Sequence, residues 1–306
     1  MKLATTTGDF KRWCKTNIER LDCISESGFR YVDLNMYADT ENPELFFADN
    51  WKENVIKIKK HAENSGLSFV QAHAPGINPF LPHVDYNHFV DITKRAIEIS
   101  GMLGIKNLVV HGGIVMDPAA GKDIFTEKNI NFLSELFPLI EEYNVNLLYE
   151  NSSAKELPGL YYLVTGKDMT DFIKAVDHPL VHACWDTGHA NLDGHQYNNI
   201  IDIGKDLYGL HVNDNSGNGD EHTLPYLGIM NMDELMHALI DVEYKGYFTF
   251  EAVNCLRFAS FWQGDRREFV SDTRALEPQL FMRKTIEKLL YETGEYVLRQ
   301  YNVFEE

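Results

Sequence analysis

The 306-residue chain contains only four cysteines, and it has no long apolar run. Cys14, Cys23, Cys184 and Cys255 include no Cys-x-x-Cys pair, which argues against a disulfide framework and against a cysteine zinc site. We interpret them as small apolar residues. The first residues hold no apolar run of signal-peptide length, and no stretch has the length and apolarity of a membrane span. These absences predict a cytoplasmic protein that does not contact membranes.

Basic residues are also scarce. The chain has 28 Lys and Arg against 46 Asp and Glu, which gives a formal net charge of −18 at pH 7. Such a chain repels polyanions and gains solubility from that repulsion. The densest basic cluster consists of Arg266 and Arg267 with Arg257 nearby, which offers few contacts for a phosphate backbone. We therefore predict that nucleic acid is not a partner.

A repeated pattern runs through the chain, in which a short apolar run is followed by a turn and an amphipathic stretch. The predicted strands lie at 2–7, 31–35, 68–73, 107–111, 145–150, 180–184, 208–211 and 247–251. The predicted helices lie at 17–27, 51–65, 88–102, 127–143, 167–176, 200–207, 232–242 and 278–298. No linker interrupts them, and no Gly-x-Gly-x-x-Gly turn follows the first strand. The pattern therefore predicts an α/β fold, a single (β/α)8 TIM barrel domain over residues 1–306, rather than a doubly wound sheet.

Polar residues stand at the ends of most predicted strands. They are Asp33, Asn35, His73, His111, Glu150, Asp186, His211 and Glu251. In a barrel of parallel strands all carboxyl ends meet at one mouth, so we expect these side chains to converge. Crowded polar groups repel or desolvate one another unless a cation neutralises them. Oxygen and imidazole donors without a thiolate suit Mn²⁺, Mg²⁺, Co²⁺ or Zn²⁺, and the sequence does not separate these ions.

Two further segments carry candidate ligands. In Asp186-Thr187-Gly188-His189 the glycine permits a sharp bend that aims the Asp186 and His189 side chains into one pocket. The same motif also fits a turn that caps a helix. Asp220 and His222 flank one residue in the polar loop after His211, so they point the same way in an extended segment. We interpret the remaining histidines as core or surface residues; they are His61, His83, His88, His178, His182, His195 and His237.

Taken together, several short motifs resemble the xylose isomerase-like superfamily of barrels, specifically its sugar phosphate isomerase/epimerase group. The motifs are His73-Ala74-Pro75, Val110-His111-Gly112, Tyr149-Glu150-Asn151, Trp185-Asp186-Thr187-Gly188-His189, Leu210-His211-Val212-Asn213-Asp214, Asp220-Glu221-His222 and Phe250-Glu251. They span most of the chain in the order of that superfamily. The resemblance implies that one divalent metal is bound by Glu150, Asp186, His211 and Glu251. It also implies that His189 lies close to the substrate.

The activity implied by the resemblance is proton transfer beside the carbonyl of a sugar or sugar phosphate, with Glu150 and Glu251 as the catalytic carboxylates. A C–H bond next to a carbonyl is too weak an acid for a carboxylate unless the enediolate oxygen is stabilised, and a cation provides that as a Lewis acid. Two bases on opposite faces would give epimerisation. One base moving between adjacent carbons would give aldose-ketose isomerisation.

The sequence departs from the ketose epimerases in the loop after His211, where an arginine of that group is replaced by Gly217 and Asn218. Arg257, Arg266 or Arg267 would then replace it or bind a phosphate. The aromatic candidates for an apolar wall against the sugar are Tyr149, Trp185, Phe258, Phe261 and Trp262. They fit the core or a subunit interface equally well, and residues 258–262 are expected to form a lid or a homo-oligomer contact.

A second reading comes from a different reaction class. Apurinic-site endonucleases of the same superfamily bind three zinc ions, and the chain has residues of the right type at every matching position. These are His73, His111, Glu150, Asp186, His189, His211, Asp220, His222 and Glu251. More than one metal is therefore an alternative, and with it hydrolysis of a phosphodiester. The scarcity of cations argues against a DNA substrate. A non-catalytic sugar-binding barrel would leave the metal ligands idle.

Overall fold

Eight parallel strands form the centre of the structure, a computed structural model that describes residues 1–37, 43–194, 196–257 and 277–306. The strands are β1 (Lys2–Thr6), β2 (Tyr31–Asn35), β3 (Ser68–His73), β4 (Asn107–Val110), β5 (Asn146–Glu150), β6 (Val181–Asp186), β7 (Leu207–His211) and β8 (Tyr247–Phe250). All eight lie within two residues of the predicted runs.

The strands are arranged in sequence order around a ring. Their order is β7-β6-β5-β4-β3-β2-β1-β8, and each pair of neighbours in this order is parallel. Just beyond β7, a parallel bridge joins Val212 to Phe250. Val212 N donates to Thr249 O at 2.8 Å, and Glu251 N donates to Val212 O at 3.1 Å, so the ring closes at its carboxyl end. The prediction of a TIM barrel is confirmed.

Helices surround the strands and connect one to the next. In the described residues they are α1 (Asn17–Ser25), α2 (Trp51–Asn64), α3 (Tyr86–Leu103), α4 (Gly121–Ser134), α5 (Phe137–Tyr143), α6 (Gly166–Val176), α7 (Thr187–Asp193), α8 (Gln196–Ile203), α9 (Met232–Asp241) and α10 (Leu280–Gln300). Shorter helical turns lie at Thr7–Phe10, Pro43–Phe47 and Gly204–Asp206. No helix in these ranges is long and apolar enough to cross a membrane.

Two helix predictions need correction. The single helix predicted at 127–143 is two helices, α4 and α5, because Pro138 lacks an N–H and its ring clashes with the carbonyl four residues earlier, at Ser134. The segment read as a loop after Asp186 is the short helix α7. Its seven residues are too few to display a helical repeat in the sequence.

Side chains alternate along the strands and so divide the core into two parts. Val109, Leu148 and Cys184 form a small buried cluster of their own. Each stands two residues before a polar side chain of the carboxyl mouth, so they fill the barrel interior one layer below it. The larger core cluster lies between the strands and the helices and includes Tyr149 and Trp185.

Candidate metal centre and active site

The carboxyl mouth of the barrel holds a cavity of about 320 Å³. Its walls come from the loops and strand ends after nearly every strand. The lining residues are Gly8, Asp9, Lys11, Arg12, Asn35, Tyr37, His73, His111, Glu150, His189, Asp220, His222, Glu251, Val253 and Asn254. Asp186 and His211 lie at the same end of their strands but are fully shielded beneath these residues.

Asp186 is the N-cap residue of helix α7, and it also belongs to the group of polar side chains at the carboxyl mouth. Its Oδ1 accepts a hydrogen bond from His189 N at 2.7 Å, which caps the helix. Its Oδ2 accepts from Asn213 Nδ2 at 2.7 Å, and its own N–H donates to Asn151 Oδ1 at 2.6 Å. Both sequence-level readings of this motif, the cap and the pocket residue, therefore describe one arrangement that holds the carboxylate rigid.

Three histidines are oriented by the backbone in the same way. His73 Nδ1 lies 2.9 Å from Ala74 O, His189 Nδ1 lies 2.9 Å from Asn151 O, and His222 Nδ1 lies 3.1 Å from Glu251 O. Because a carbonyl oxygen only accepts, each Nδ1 carries a proton, and each Nε2 is the ring nitrogen left to face the other polar groups of the mouth. Metal-binding histidines are commonly fixed by such a contact on the ring nitrogen that does not bind the ion.

Glu150 lies at the centre of the first group of donor atoms. Its Oε1 is 3.0 Å from His211 Nδ1, which in turn is 3.4 Å from Glu251 Oε2. Its Oε2 is 3.1 Å from His111 Nε2 and 3.4 Å from His73 Nε2. These two contacts are short, yet Oε2 is buried and neither has the geometry of a hydrogen bond.

A second group of donors lies beside the first and uses the loop after β7. Asp220 Oδ2 is 3.3 Å from His189 Nε2 and 2.9 Å from His222 Nε2. Asp220 Oδ1 is buried and has no hydrogen-bond partner. The loop after His211, read from sequence as either a flexible connection or part of the pocket, therefore brings both Asp220 and His222 to the mouth.

Within the described ranges, donor atoms converge in four sets of the kind that hold a metal ion, with the atoms of each set within 4.8 Å of one another. The sets are Glu150, Asp186, His211 and Glu251; His73, His111 and Glu150; His73, His211 and Glu251; and His189, Asp220 and His222. Buried carboxylate and imidazole atoms crowded together in this way fit a bound cation, which would take the place of the histidine protons. The nitrogen and oxygen donors suit a divalent first-row metal or Mg²⁺.

The protonation of the site without a cation supports the same conclusion. Burial lowers the pKa of His189, but Asp186 and Asp220 outweigh it and raise that pKa to about 10. Against the same penalty of burial, neighbouring carboxylates raise the pKa of His211 and of His222 well above the ordinary value. Burial raises the pKa of Glu150, yet the charges of His211 and His111 hold it well below its usual range. The carboxylates of the site therefore stabilise positive charge, here on the histidine rings.

The other strand-end residues differ in what they reach. Asn35 lines the cavity, whereas Asp33 does not. Asp33 is buried one layer lower, where Thr6 Oγ1 donates to its Oδ1 at 3.1 Å. Burial raises the pKa of this carboxyl.

Of the readings offered for Trp185, an apolar wall against the sugar and a core residue, the structure supports the core residue. Trp185 and Asp186 are consecutive in β6, so their side chains point to opposite faces of the strand. Asp186 faces the polar cluster, and the fully buried Trp185 faces the helices, where its Nε1 donates to Gln196 Oε1 at 2.8 Å. Tyr149 stands beside Glu150 and is turned away from the cavity for the same reason.

Arg257 is the one proposed arginine that the structure describes, and it does not line the main cavity. Its Nη2 lies 3.5 Å from Glu221 Oε1, beside a neighbouring depression that shares Asp220 and Asn254 with the main cavity. Arg266 and Arg267, the aromatic run 258–262 and His195 lie outside the described residues. The other histidines read as core or surface residues lie away from the cavity; they are His61, His83, His88, His178, His182 and His237.

Sequence reasoning missed seven residues of the cavity wall, which are Gly8, Asp9, Lys11, Arg12, Tyr37, Val253 and Asn254. Tyr37 packs against the rings of His73 and His111, with centroids 5.0 Å and 5.2 Å away. Lys11 and Arg12 line the wall from the loop after β1. They stand five and six residues beyond the strand, so a search for polar residues directly at strand ends does not find them.

Relatives of this chain include proteins of more than one reaction class. It is 25% identical over 271 residues to the uncharacterized protein y4fM of Sinorhizobium fredii, covering 79% of this chain and 83% of the relative. It is 27% identical over 236 residues to the probable endonuclease 4 of Staphylococcus epidermidis, covering 70% and 77%. It is 25% identical over 221 residues to the fructoselysine 3-epimerase of Shigella flexneri, covering 69% and 77%.

Solved structures with the same fold include sugar epimerases. The D-psicose 3-epimerase of Clostridium cellulolyticum H10, solved with D-tagatose, superposes with a TM-score of 0.73 at 18% identity, covering 97% of this chain and 99% of that one. A D-tagatose 3-epimerase-like protein gives 0.72 at 18% identity, covering 98% and 100%. The family model described as xylose isomerase-like TIM barrel matches residues 21–264. The resemblance read from the motifs is thereby confirmed, and the chain belongs to the xylose isomerase-like TIM barrel family.

Proposed function

We propose that this protein is a divalent-metal-dependent isomerase or epimerase that moves a proton beside the carbonyl of a sugar or sugar phosphate. One observation carries the proposal: Glu150 and Glu251 both approach His211 Nδ1, at 3.0 Å and 3.4 Å, while both line the same cavity. Two carboxylates at one site, each in reach of a bound molecule, are what removal and return of a proton require.

The residues that would hold the metal are Glu150, Asp186, His211 and Glu251. When bound, a divalent cation supplies Lewis-acid stabilisation of negative charge on a substrate oxygen. Asp186 and His211 are fully buried, so their task is to bind and orient. Asn213 and the His189 N–H hold the Asp186 carboxylate in place through its two oxygens.

Glu150 and Glu251 are the candidate acid and base. Histidines hold the pKa of Glu150 well below its ordinary value in spite of burial, so this side chain is ionised at neutral pH and accepts a proton. Glu251 enters the cavity from the end of β8, on a different strand. Carboxylates on two sides of a planar intermediate favour epimerisation, and a single carboxylate acting on neighbouring carbons favours isomerisation.

The cavity supports a small polar substrate. Its volume of about 320 Å³ suits a monosaccharide rather than a polymer. His189, Asp220 and His222 provide donors and acceptors for hydroxyl groups, and Tyr37 offers an aromatic face to apolar carbons. The names of two relatives, a fructoselysine 3-epimerase and a D-psicose 3-epimerase, favour epimerisation of a ketose.

The test is exchange of a substrate proton with solvent. Mn²⁺-loaded protein is incubated in D₂O with a panel of ketoses and ketose phosphates, and loss of the proton signal beside the carbonyl is followed by NMR. The proposal predicts exchange with at least one member and loss of that exchange after chelation. Exchange that continues at the same rate in the chelated protein would contradict it.

A second candidate is a hydrolase with more than one metal. The observation that favours it is the separate set His189, Asp220 and His222, which lies beside the Glu150 set and has its own buried, unpartnered oxygen on Asp220. Several metals at one site activate water against a phosphodiester. Counting ions separates the candidates, because one ion per chain favours proton transfer and two or three favour hydrolysis.

A further inference from the structure

Among the described residues, one sector of the cavity wall contributes to none of the four donor sets. The donors come from the ends of β3 to β8, including the loop after β7. The loop after β1 instead contributes Gly8, Asp9, Lys11 and Arg12. In the order of the eight-stranded ring, β1 stands four places from β5 in either direction, so this loop faces the strand of Glu150 across the cavity. A substrate held at the metal donors presents its far end to this loop.

The sector is also the basic part of the cavity. Lys11 and Arg12 are the lysine and arginine that line it in the part of the chain that the structure describes, and the net charge of the whole chain is −18. The ammonium nitrogen of Lys11 is shielded from bulk solvent, which strengthens its attraction for an anion. Arg12 is exposed at the rim. It interacts electrostatically with Glu277, at the start of the last described segment.

A buried ion-pair group holds this loop in place from behind. Arg283 of α10 is fully buried, and its Nη2 pairs with Asp9 and with Glu287. Its Nη1 donates to Ala252 O at 3.0 Å, just after β8. The second oxygen of Asp9, Oδ1, is buried without a hydrogen-bond partner among the described residues, and Asp9 lines the cavity.

Asp9 need not repel an anion at this position. Burial raises the pKa of its carboxyl well above the ordinary value, against the opposing charge of Arg283 and with a further contribution from Glu287. A carboxyl group that retains a proton donates a hydrogen bond rather than repelling negative charge.

We propose that the loop Gly8–Arg12 is a subsite for a terminal anionic group, a phosphate monoester or a carboxylate, on the sugar end remote from the metal donors, with Lys11 and Arg12 as its specificity-determining residues. This inference rests on the proposed function for the identity of the sugar part. In this proposal the anion is bound by the loop after β1 and not by Arg257. Arg257 instead pairs with Glu221 beside another depression. Lysine and arginine bind phosphate as a point charge and as a planar fork, so the pair suits such a group.

The test is calorimetric binding of three ketoses to Mn²⁺-loaded protein: D-fructose, D-fructose 6-phosphate and D-fructuronate. We expect the wild type to bind at least one anionic ketose about tenfold or more tightly than D-fructose, as charged hydrogen bonds provide. In the double variant Lys11→Gln with Arg12→Gln that preference should fall about tenfold or more, with little change for D-fructose. Tighter binding of the phosphate than of the uronate identifies a phosphate site, and the reverse order identifies a carboxylate site.

The matched control is Lys167→Gln, which removes a cation from the exposed surface of α6, where it pairs with Asp171. It should leave every affinity unchanged. A preference that survives intact in the double variant would assign the anion to the metal and overturn the proposal, as would a wild type with no preference. Metal content and far-UV circular dichroism show that each variant is folded and loaded. Because binding is measured without turnover, absence of proton exchange would count against the proposed function alone.

Discussion

Glu150 is the side chain on which the proposed chemistry depends most, since it contacts donors of two different sets. Glu150→Gln keeps the shape of the side chain but removes its charge and its basicity. We expect exchange of the substrate proton to fall by about 10² to 10⁴-fold, the range that a general base contributes. The measurement is the NMR rate of deuterium incorporation at saturating metal.

Glu156→Gln is the matched control for this variant, because Glu156 is exposed in the loop after β5 and does not line the cavity. It should exchange at the wild-type rate. Undiminished exchange in Glu150→Gln, with the metal still bound, would assign the proton transfer to another residue.

Asn213 is a residue that acts through another one. Its Nδ2 donates to Asp186 Oδ2 at 2.7 Å, inside a region that excludes solvent. Asn213→Ala removes this donor, and loss of such an outer partner weakens metal binding about 10 to 100-fold. Competition with a fluorescent chelator measures the affinity, and the exposed Asn131→Ala on α4 is the control. Equal affinities for the two variants would mean that the hydrogen bond from Asn213 to Asp186 does not support metal binding.

At this scale the sequence predicted which strand-end residues converge better than it predicted side-chain directions. His73, His111 and Glu150 were found because each directly follows an apolar run, and the structure brings them together. Trp185 was left open between a sugar wall and the core because its neighbour Asp186 was not used to assign the face of the strand. Lys11 lies in a loop, where no periodicity indicates which side chains turn toward the cavity.

The helix α7 and the loop after β7 approach each other without space to spare. A Cβ added at Gly188 would lie 1.8 Å from Asn213 Oδ1, a buried atom of the side chain that holds Asp186. We therefore expect Gly188→Ala to displace Asn213 and to weaken metal binding at least as much as Asn213→Ala. Gly219→Ala, where an added Cβ meets nothing within 4 Å, is the control. The same chelator competition measures the metal affinity of both variants. Wild-type metal affinity in Gly188→Ala would show that the loop after β7 can shift without weakening metal binding.

The closing helix α10 is held to the barrel by buried charge. Arg283, Asp9 and Glu287 are all shielded from solvent, and Thr5 of β1 donates to Glu287. Arg283→Met leaves two buried carboxyl groups without their cation, which costs about 3 to 5 kcal/mol of unfolding free energy. Urea denaturation measures it.

Arg299→Met is the comparison for this effect, because Arg299 makes a half-exposed pair with Glu295 on the same helix. Removing a surface pair of this kind costs less than about 1 kcal/mol. Similar losses in the two variants would mean that burial adds nothing to the Arg283 group.

Elements were predicted from the sequence where the apolar pattern was long enough to repeat. The strands agree because each is a short apolar run bounded by glycine or polar residues. The seven-residue α7 and the break at Pro138 were missed, the first because it is shorter than two helical turns and the second because the apolar pattern continues across it.

The net charge of the whole molecule argues against binding to DNA. A net charge of −18 opposes contact with a DNA backbone, since binding there requires several cations on one face. We expect neither nicking nor gel retardation of a duplex with one abasic site at about 0.15 M salt, where specific DNA-binding proteins still bind tightly. Metal-dependent nicking that is absent from Glu150→Gln would instead establish the hydrolase as the function.

The barrel itself was predictable at this scale because eight strand-helix units follow one another without a linker. The closeness of distant residues follows from that topology alone, as with His73 and Glu251, which belong to different strands yet share a donor set. The number of metal ions was not predictable, because the same residue types fit one ion or three.

Metal content per chain, measured by plasma mass spectrometry on protein loaded with Mn²⁺ and then desalted, tests the central claim most directly. We predict about one tightly bound divalent ion per wild-type chain and a loss of at least tenfold in affinity in His211→Ala, because His211 Nδ1 faces both Glu150 and Glu251. A wild-type chain that retains no ion, or a His211→Ala chain that retains as much as the wild type, would contradict the account.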